Sequence, residues 1–209
     1  MRLVGGISMP NHCWNSLSVT GPSSDVKEFI YTALQRDEDN HLTSCPDLRF
    51  LYPIAADVKI DEREDILSNE DYTWRTENWG TKWNTYSSSD ITIHSDPFSH
   101  IQGVDVDFET AWAPPIGAIT RGSELFPSLT FMLYFYEPGV AFKGIFVVKD
   151  GVEFVHDIRS IEDEDEDEDP HEYVGTLNSE ALEKLITNRE NPNLTTSVLN
   201  PEITMEEFF

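Results

Sequence analysis

The sequence predicts an α+β fold, an antiparallel sheet carrying helices on one face. Three observations carry that prediction. The chain opens with a strand-like alternation that meets Gly21-Pro22 and then turns to helical spacing. Its second half holds apolar runs divided by strong turn signals. Between Pro115 and Pro127 the apolar positions again recur at a helical interval.

Each element has its own reason. Asn15-Ser-Leu17-Ser-Val19-Thr20 alternates apolar and polar residues and stops at Gly-Pro, the pattern of a strand entering a turn. Ser23, Ser24 and Asp25 suit a helix start, and Val26, Phe29, Ile30, Ala33 and Leu34 fall on one helical face. Leu48-Arg-Phe50-Leu-Tyr52-Pro53 reads as a short edge strand, Asp61 to Asp65 as a polar helix or loop, and Asp90 to His94 as a short strand. In Val104-Asp-Val106-Asp-Phe108-Glu-Thr110-Ala the apolar residues should face the core and the acids the outside, because successive side chains of a strand alternate. Ile116, Ile119 and Leu125-Phe126 suit a helix. Leu129 to Tyr136 is apolar on both faces, as a buried strand is. Ala141 to Lys149 and Val152 to Ile158 flank Asp150-Gly151, a hairpin signal.

The resulting order, β–α–β–(insert)–β–α–β–β–β, corresponds to a split β–α–β, ferredoxin-like core whose antiparallel sheet is extended at one end. The expected organisation is an N-terminal extension over 1–8 and a ferredoxin-like domain over 9–160 with a Trp-rich insert at 54–90. An acidic linker or loop (161–172) follows, then a C-terminal helix and acidic tail (173–209). In the last part, Ser179-Glu-Ala-Leu182-Glu-Lys-Leu185-Ile186 reads as a capped amphipathic helix.

Charge is the outlier in composition. Of 209 residues, 39 are acids and 14 are Lys or Arg, a net of −25. Residues 151–209 hold 17 acids and 3 bases, more than half of that net charge. Affinity for nucleic acid comes largely from cationic side chains on phosphate, so this balance argues against direct nucleic-acid binding and against anionic membranes. It favours solubility, basic partners, or occupancy of a site built for nucleic acid. Two cysteines, Cys13 and Cys45, form no disulfide framework and fit a reducing cytoplasm. No stretch approaches the ~20 apolar residues of a membrane span.

Four of the five tryptophans lie in two stretches, Trp74-Arg-Thr-Glu-Asn-Trp79-Gly-Thr-Lys-Trp83-Asn84 and Phe108-Glu-Thr-Ala-Trp112-Ala-Pro114-Pro115. Together with Met9-Pro10-Asn11-His12-Cys13, with Phe126-Pro127-x-Leu129, and with Tyr136-Glu137-Pro138-Gly139 leading to Phe142-x-Gly144, they occur in an order that resembles the YubB-type ferredoxin-like family of plasmid and phage proteins. The resemblance spans about residues 9–155. It implies a ferredoxin-like fold and a mobile-element origin, and it implies no known reaction. Proteins of that family usually begin at the position of Met9, so Met1–Ser8 reads as an upstream start or an extension.

The chemistry-bearing residues each have a functional and a plainer reading. Trp79, Lys82, Trp83, Trp112 and Arg75 suit an interaction surface or the wall of a small-ligand pocket, since Trp beside a cation is a frequent anchor. The plainer reading makes the segment a structural cap with Gly80 at a tight turn. His12 and Cys13 are adjacent on a strand, so they point to opposite faces and do not meet. Asp105, Asp107 and Glu109 form a carboxylate ladder at about 6.6 Å per step, too wide to share one small ion unaided, and a solvated face is the ordinary meaning. The run Glu162-Asp163-Glu164-Asp165-Glu166-Asp167-Glu168-Asp169 spaces its charges at about 3.3 Å when extended, close to the ~3.4 Å phosphate repeat of a DNA strand. As a mimic of nucleic acid it would need the ladder as rigid support; as a linker it would only solubilise.

The functional expectation is a non-enzymatic, phage- or plasmid-encoded protein of the host cytoplasm. It would bind and inhibit a basic or nucleic-acid-binding host protein, a defence component among the options, by nucleic-acid mimicry or by its tryptophan patch. The alternative is a Trp-lined pocket for a nucleotide-like ligand. No cofactor and no metal are expected.

Overall fold

The computed structural model describes residues 11–60, 68–87, 89, 91–98 and 100–161. The strands are β1 (His12–Thr20), β2 (Leu34–Arg36), β3 (Leu42–Pro46), β4 (Thr92–Ser95), β5 (Ile101–Ala111), β6 (Thr130–Glu137), β7 (Phe142–Lys149) and β8 (Val152–Ser160). The helices are α1 (Ser23–Ala33), α2 (Leu48–Leu51), α3 (Asn69–Asn78) and α4 (Ile116–Leu125).

Six strands form one sheet in the order β4-β5-β1-β6-β7-β8, and every neighbouring pair is antiparallel. β1 and β4 therefore run parallel with β5 between them, and β5 and β6 run parallel with β1 between them. That interleaving is the split β–α–β arrangement, and the fold is ferredoxin-like. β7 and β8 lengthen the sheet beyond β6 as a meander. Asp150 and Gly151 both take positive φ, 48° and 71°, as the hairpin turn between these strands requires.

Strand periodicity assigns the two faces. Odd positions of β1 and β6 (Leu17, Val19, Phe131, Leu133, Phe135) and even positions of β5 (Val104, Val106, Phe108) turn toward the helices. There they meet Val26, Phe29, Ile30 and Ala33 of α1 and Ala118 and Ile119 of α4. Phe29 packs edge-on against both Phe126 and Phe131. Burying side chains of this size contributes roughly 1.5–3 kcal/mol each. Asp25 in the first turn of α1 accepts from Ser128, which fastens that helix to the loop before β6 and, with Ser24, holds the carboxyl below its ordinary pKa.

Two expectations need correction. Leu48–Pro53 is not an edge strand. Asp47 accepts from the Arg49 backbone N–H, and Leu48–Leu51 form a short helix whose Leu48 and Leu51 are buried. The second strand of the ferredoxin-like core is β4, which follows the Trp-rich segment rather than preceding it. Between α1 and β4 lie β2 and β3, paired as a separate two-stranded sheet, then α2 and α3. α3 was not expected; Ser68 caps it by accepting from Asp71 N–H. The expected N-terminal extension, the polar helix or loop over Asp61 to Asp65, the acidic run and the C-terminal helix lie outside the described residues. β2 and β3 were not expected either, whereas β1, α1, β4, β5, α4, β6, β7 and β8 follow the periodicities that announced them.

α3 ends against the start of α4. A Cβ on Gly117 would sit 2.0 Å from the Asn78 carbonyl oxygen. Gly117→Ala is expected to destabilise the protein by about 1–3 kcal/mol, as overpacking does, read as a lower midpoint in urea with an unchanged slope.

Candidate aromatic strip at the end of the sheet

The Trp-rich segment divides into residues that fasten the fold and residues left over. Trp79 is fully buried; its Nε1 donates to the Tyr52 carbonyl at 2.7 Å, and its ring lies edge-on to Trp74. Arg75 stacks over the Trp79 ring and donates twice to Asp71, at 2.6 and 3.0 Å. Gly80 takes φ 89° and approaches Pro114 O, where a Cβ would stand 2.9 Å away. Thr81 donates to Ala111 O, Thr85 donates to Pro46 O, and the Asn84 side chain accepts from Leu48 N–H while donating to Asp47. Asn78 accepts from the Tyr52 hydroxyl. Within Asn78–Asn84 that leaves Lys82 and Trp83.

These two begin a contiguous strip. The Lys82 ammonium lies 4.9 Å from the Trp83 ring centroid and 6.0 Å from that of Tyr72. Trp83 meets Tyr86 edge-on at 6.2 Å, and Tyr86 meets His12 at 5.7 Å. His12 Nδ1 is 2.7 Å from Glu109 Oε2, and the Tyr86 hydroxyl is 3.2 Å from the same nitrogen. Two backbone hydrogen bonds join Tyr86 to Glu109, so Tyr86 extends the sheet past β5 and shares its face with Glu109. Trp112 follows the last residue of β5 at this same end; its N–H donates to Asn11 O. It is 41% exposed and takes φ 73°, the left-handed region that costs an ordinary L-residue about 1–2 kcal/mol. An exposed Trp held in a strained conformation is the kind of feature a working surface retains.

Burial dominates the titrating groups nearby. The Tyr86 phenol is pushed up to about 12, first by burial and then by the charges of Glu109 and Cys13, so it stays a hydroxyl at neutral pH. The Cys13 thiol is raised by burial and then by Glu137, and Cys45 is raised by burial. Neither thiol is set up as a nucleophile, since reactivity needs the thiolate. Among the described residues no three His, Cys, Asp or Glu side chains are grouped to hold a metal ion.

The residues marked in the sequence are thus separated. Lys82, Trp83 and Trp112 lie on the accessible end of the sheet, whereas Trp79 and Arg75 are spent inside the helix layer. Of the carboxylate ladder, Glu109 is held by His12, Asp105 is 2.6 Å from His94 Nε2, and Asp107 lies between them on the same face. Two of the three carboxylates of the ladder are therefore engaged by histidines. The run 162–169 lies outside the described residues. Sequence reasoning did not find Tyr72, Tyr86 or the pairing of His12 with Glu109. The pairing spans 97 positions, and no local signal announces it.

A family comparison fits this architecture. Residues 78–178 match the family described as the ferredoxin-like domain in Api92-like protein. The matched stretch carries β4 to β8 and α4, while β1 and α1 lie outside it. Protein api92 from Yersinia pseudotuberculosis is a solved structure similar over 74% of this chain and 99% of its own, at 11% identity and a TM-score of 0.44. No curated protein matches the chain. Among the described residues no helix is long and apolar enough to cross a membrane.

Two outcomes follow from this division. Trp79→Ala should cost about 3–5 kcal/mol, as loss of a large core ring does, whereas Trp83→Ala should stay within roughly 1 kcal/mol, both measured by denaturant melts. Cys13 and Cys45 should resist a thiol reagent at pH 8 in the folded protein and react fully once it is unfolded in guanidinium.

Proposed function

We propose that this chain is a non-enzymatic interaction protein whose strip of Lys82, Trp83, Tyr86, His12 and Trp112 anchors a basic partner protein. The observation that carries the reading is the exposed, strained Trp112 beside a rigid aromatic strip. Aromatic anchors with few rotatable bonds on a sheet end lose little entropy on binding. The partner's basic character is supported by charge: the described residues hold 19 acids against 10 bases, and the whole chain is at −25. Such a field steers a cationic partner toward the surface.

The finer parts of the proposal rest on sequence. Encoding by a phage or plasmid, action in the host cytoplasm and inhibition of a host defence or nucleic-acid-binding protein come from the resemblance to YubB-type proteins and from net charge. Mimicry of nucleic acid is supported by the run 162–169; the β5 ladder adds less to it, because Asp105 and Glu109 are bound to histidines. A nucleotide-like ligand in a Trp-lined pocket draws less support from this geometry, since Arg75 is committed to Asp71 and Trp79 is sealed.

An affinity pull-down from host lysate tests the proposal. A basic protein should be retained at about 50 mM salt and released by about 500 mM, because screening shortens from roughly 14 Å to about 4 Å across that range. Trp83→Ala and Trp112→Gly should each weaken retention tenfold or more. Trp112→Gly should leave stability within about 1 kcal/mol, since relief of the left-handed conformation offsets lost packing. Retention of nothing at low salt, or equal retention by both variants, would sink the reading.

A further inference from the structure

Three stretches singled out in the sequence meet at one end of the sheet. Asn11-His12-Cys13 leads into β1, Thr110 to Pro115 closes β5, and Tyr136 to Gly139 closes β6. Trp112 N–H donates to Asn11 O, and Thr110 Oγ1 donates to Ala113 O at 2.8 Å. The Asn11 side chain packs so closely on Gly139 that a Cβ there would stand 2.2 Å from Nδ2. On the helix side of this end lies a sealed polar group: Cys13, Asn15, Thr110 and Glu137 are all fully buried. Register sets Cys13 opposite Thr110, and Asn15 opposite Phe135, two places before Glu137 on the same face. Asn15 Nδ2 donates to Cys13 O and to Thr110 Oγ1, at 2.8 and 2.9 Å, and Glu137 Oε2 accepts from Val140 N–H. The charge of Glu137 also reaches Cys13, where it adds to burial in raising the thiol.

Two acceptors in this group are left over. Among the described residues, neither Asn15 Oδ1 nor Glu137 Oε1 meets a donor, although both are buried. An uncompensated buried carboxylate is among the costliest groups a fold can carry. Among the described residues no Lys, Arg or His forms an ion pair with Glu137. The basic residues nearest in register, His12 and Lys143, hold alternate strand positions that turn to the other face, where His12 meets Glu109. We propose that Glu137 Oε1 and Asn15 Oδ1 hold a small monovalent cation of the sodium or potassium class between β1 and β6. Oxygen donors suit such a hard ion, and a single carboxylate matches a single positive charge. Calcium takes about 6–8 oxygens, carboxylates prominent among them. Softer metals want thiolate or imidazole, and here Cys13 is kept a thiol while His12 lies on the other face. The ion ties the ends of β1 and β6 together beneath the turn that presents Trp112, because Asn15 also holds Thr110 and Thr110 holds Ala113. This cation site is separate from the partner surface proposed above and does not depend on it.

Thermal melts of the full-length protein test the site, after dialysis into choline chloride and return to sodium, potassium or choline chloride at equal ionic strength. The choline salt controls for screening of the large negative charge. In sodium or potassium chloride the midpoint should rise saturably, by about 3 °C or more over choline, as binding to the folded state alone requires. Glu137→Gln keeps an acceptor for Val140 N–H and should abolish that difference. Equal midpoints in all three salts, or a difference that persists in folded Glu137→Gln, would overturn the proposal. Crystals of the unaltered protein soaked in a thallium(I) salt give the direct readout. An anomalous peak should stand in contact with both Glu137 Oε1 and Asn15 Oδ1. An ordered water only, or thallium only at surface carboxylates, would also overturn it. Should Glu137→Gln not fold, the anomalous map of the unaltered chain decides.

Discussion

The close seating of Trp79 is the constraint on which the rest of this structure depends. Its indole fills the space under Tyr52 and Trp74, and its one N–H is satisfied by a backbone carbonyl, so a large ring is buried with no polar group left unpaired. The following Gly80 and the facing Gly117 let the end of α3 approach the start of α4 at a distance no Cβ would tolerate. That approach sets where Thr81 reaches the end of β5 and where Asn84 caps α2. Four separate pieces, α2, α3, α4 and the end of β5, are located by seven residues. Lys82 and Trp83 face outward as a consequence, because their neighbours on both sides are tied down.

The same economy of placement gives the two faces of the sheet different characters. The helix side is a single apolar layer in which thiols are held neutral by burial. On the opposite side, carboxylates of β5 meet histidines at one edge, aromatic and aliphatic residues fill the middle, and Lys143 and Arg159 lie toward β8. This gradient across one face is a product of strand order. β5 and β8 are far apart in the sheet, and an alternation of polar and apolar residues within each strand says nothing about which strands become neighbours.

Strong net charge and a compact ferredoxin-like fold are independent properties here. The described residues have a modest acidic excess, while most of the net charge belongs to segments outside them. A fold of this size is stabilised mainly by its core, and surface pairs such as Arg121 with Glu124 add little. The acidic excess therefore bears on what approaches the protein and not on what holds it together.

Local periodicity determined most of the elements: the alternation in Val104–Phe108, the helical set from Val26 to Ala33 and the Asp150-Gly151 turn are each written in a few adjacent residues. It misread Leu48–Pro53, where the decision fell to a single capping carboxylate on Asp47 and to burial of Leu48 and Leu51. Among site residues, the sequence by itself marked the tryptophans and the acids as unusual. Only the tertiary structure decided which were spent in packing, because Trp79 and Trp83 are chemically identical and differ solely in what the fold puts against them. The pairing of His12 with Glu109 and the assembly of an apolar face from β6, β7 and β8 belong to the same class. Each depends on contacts between distant parts of the chain, and those exist only once strand order and register have been chosen.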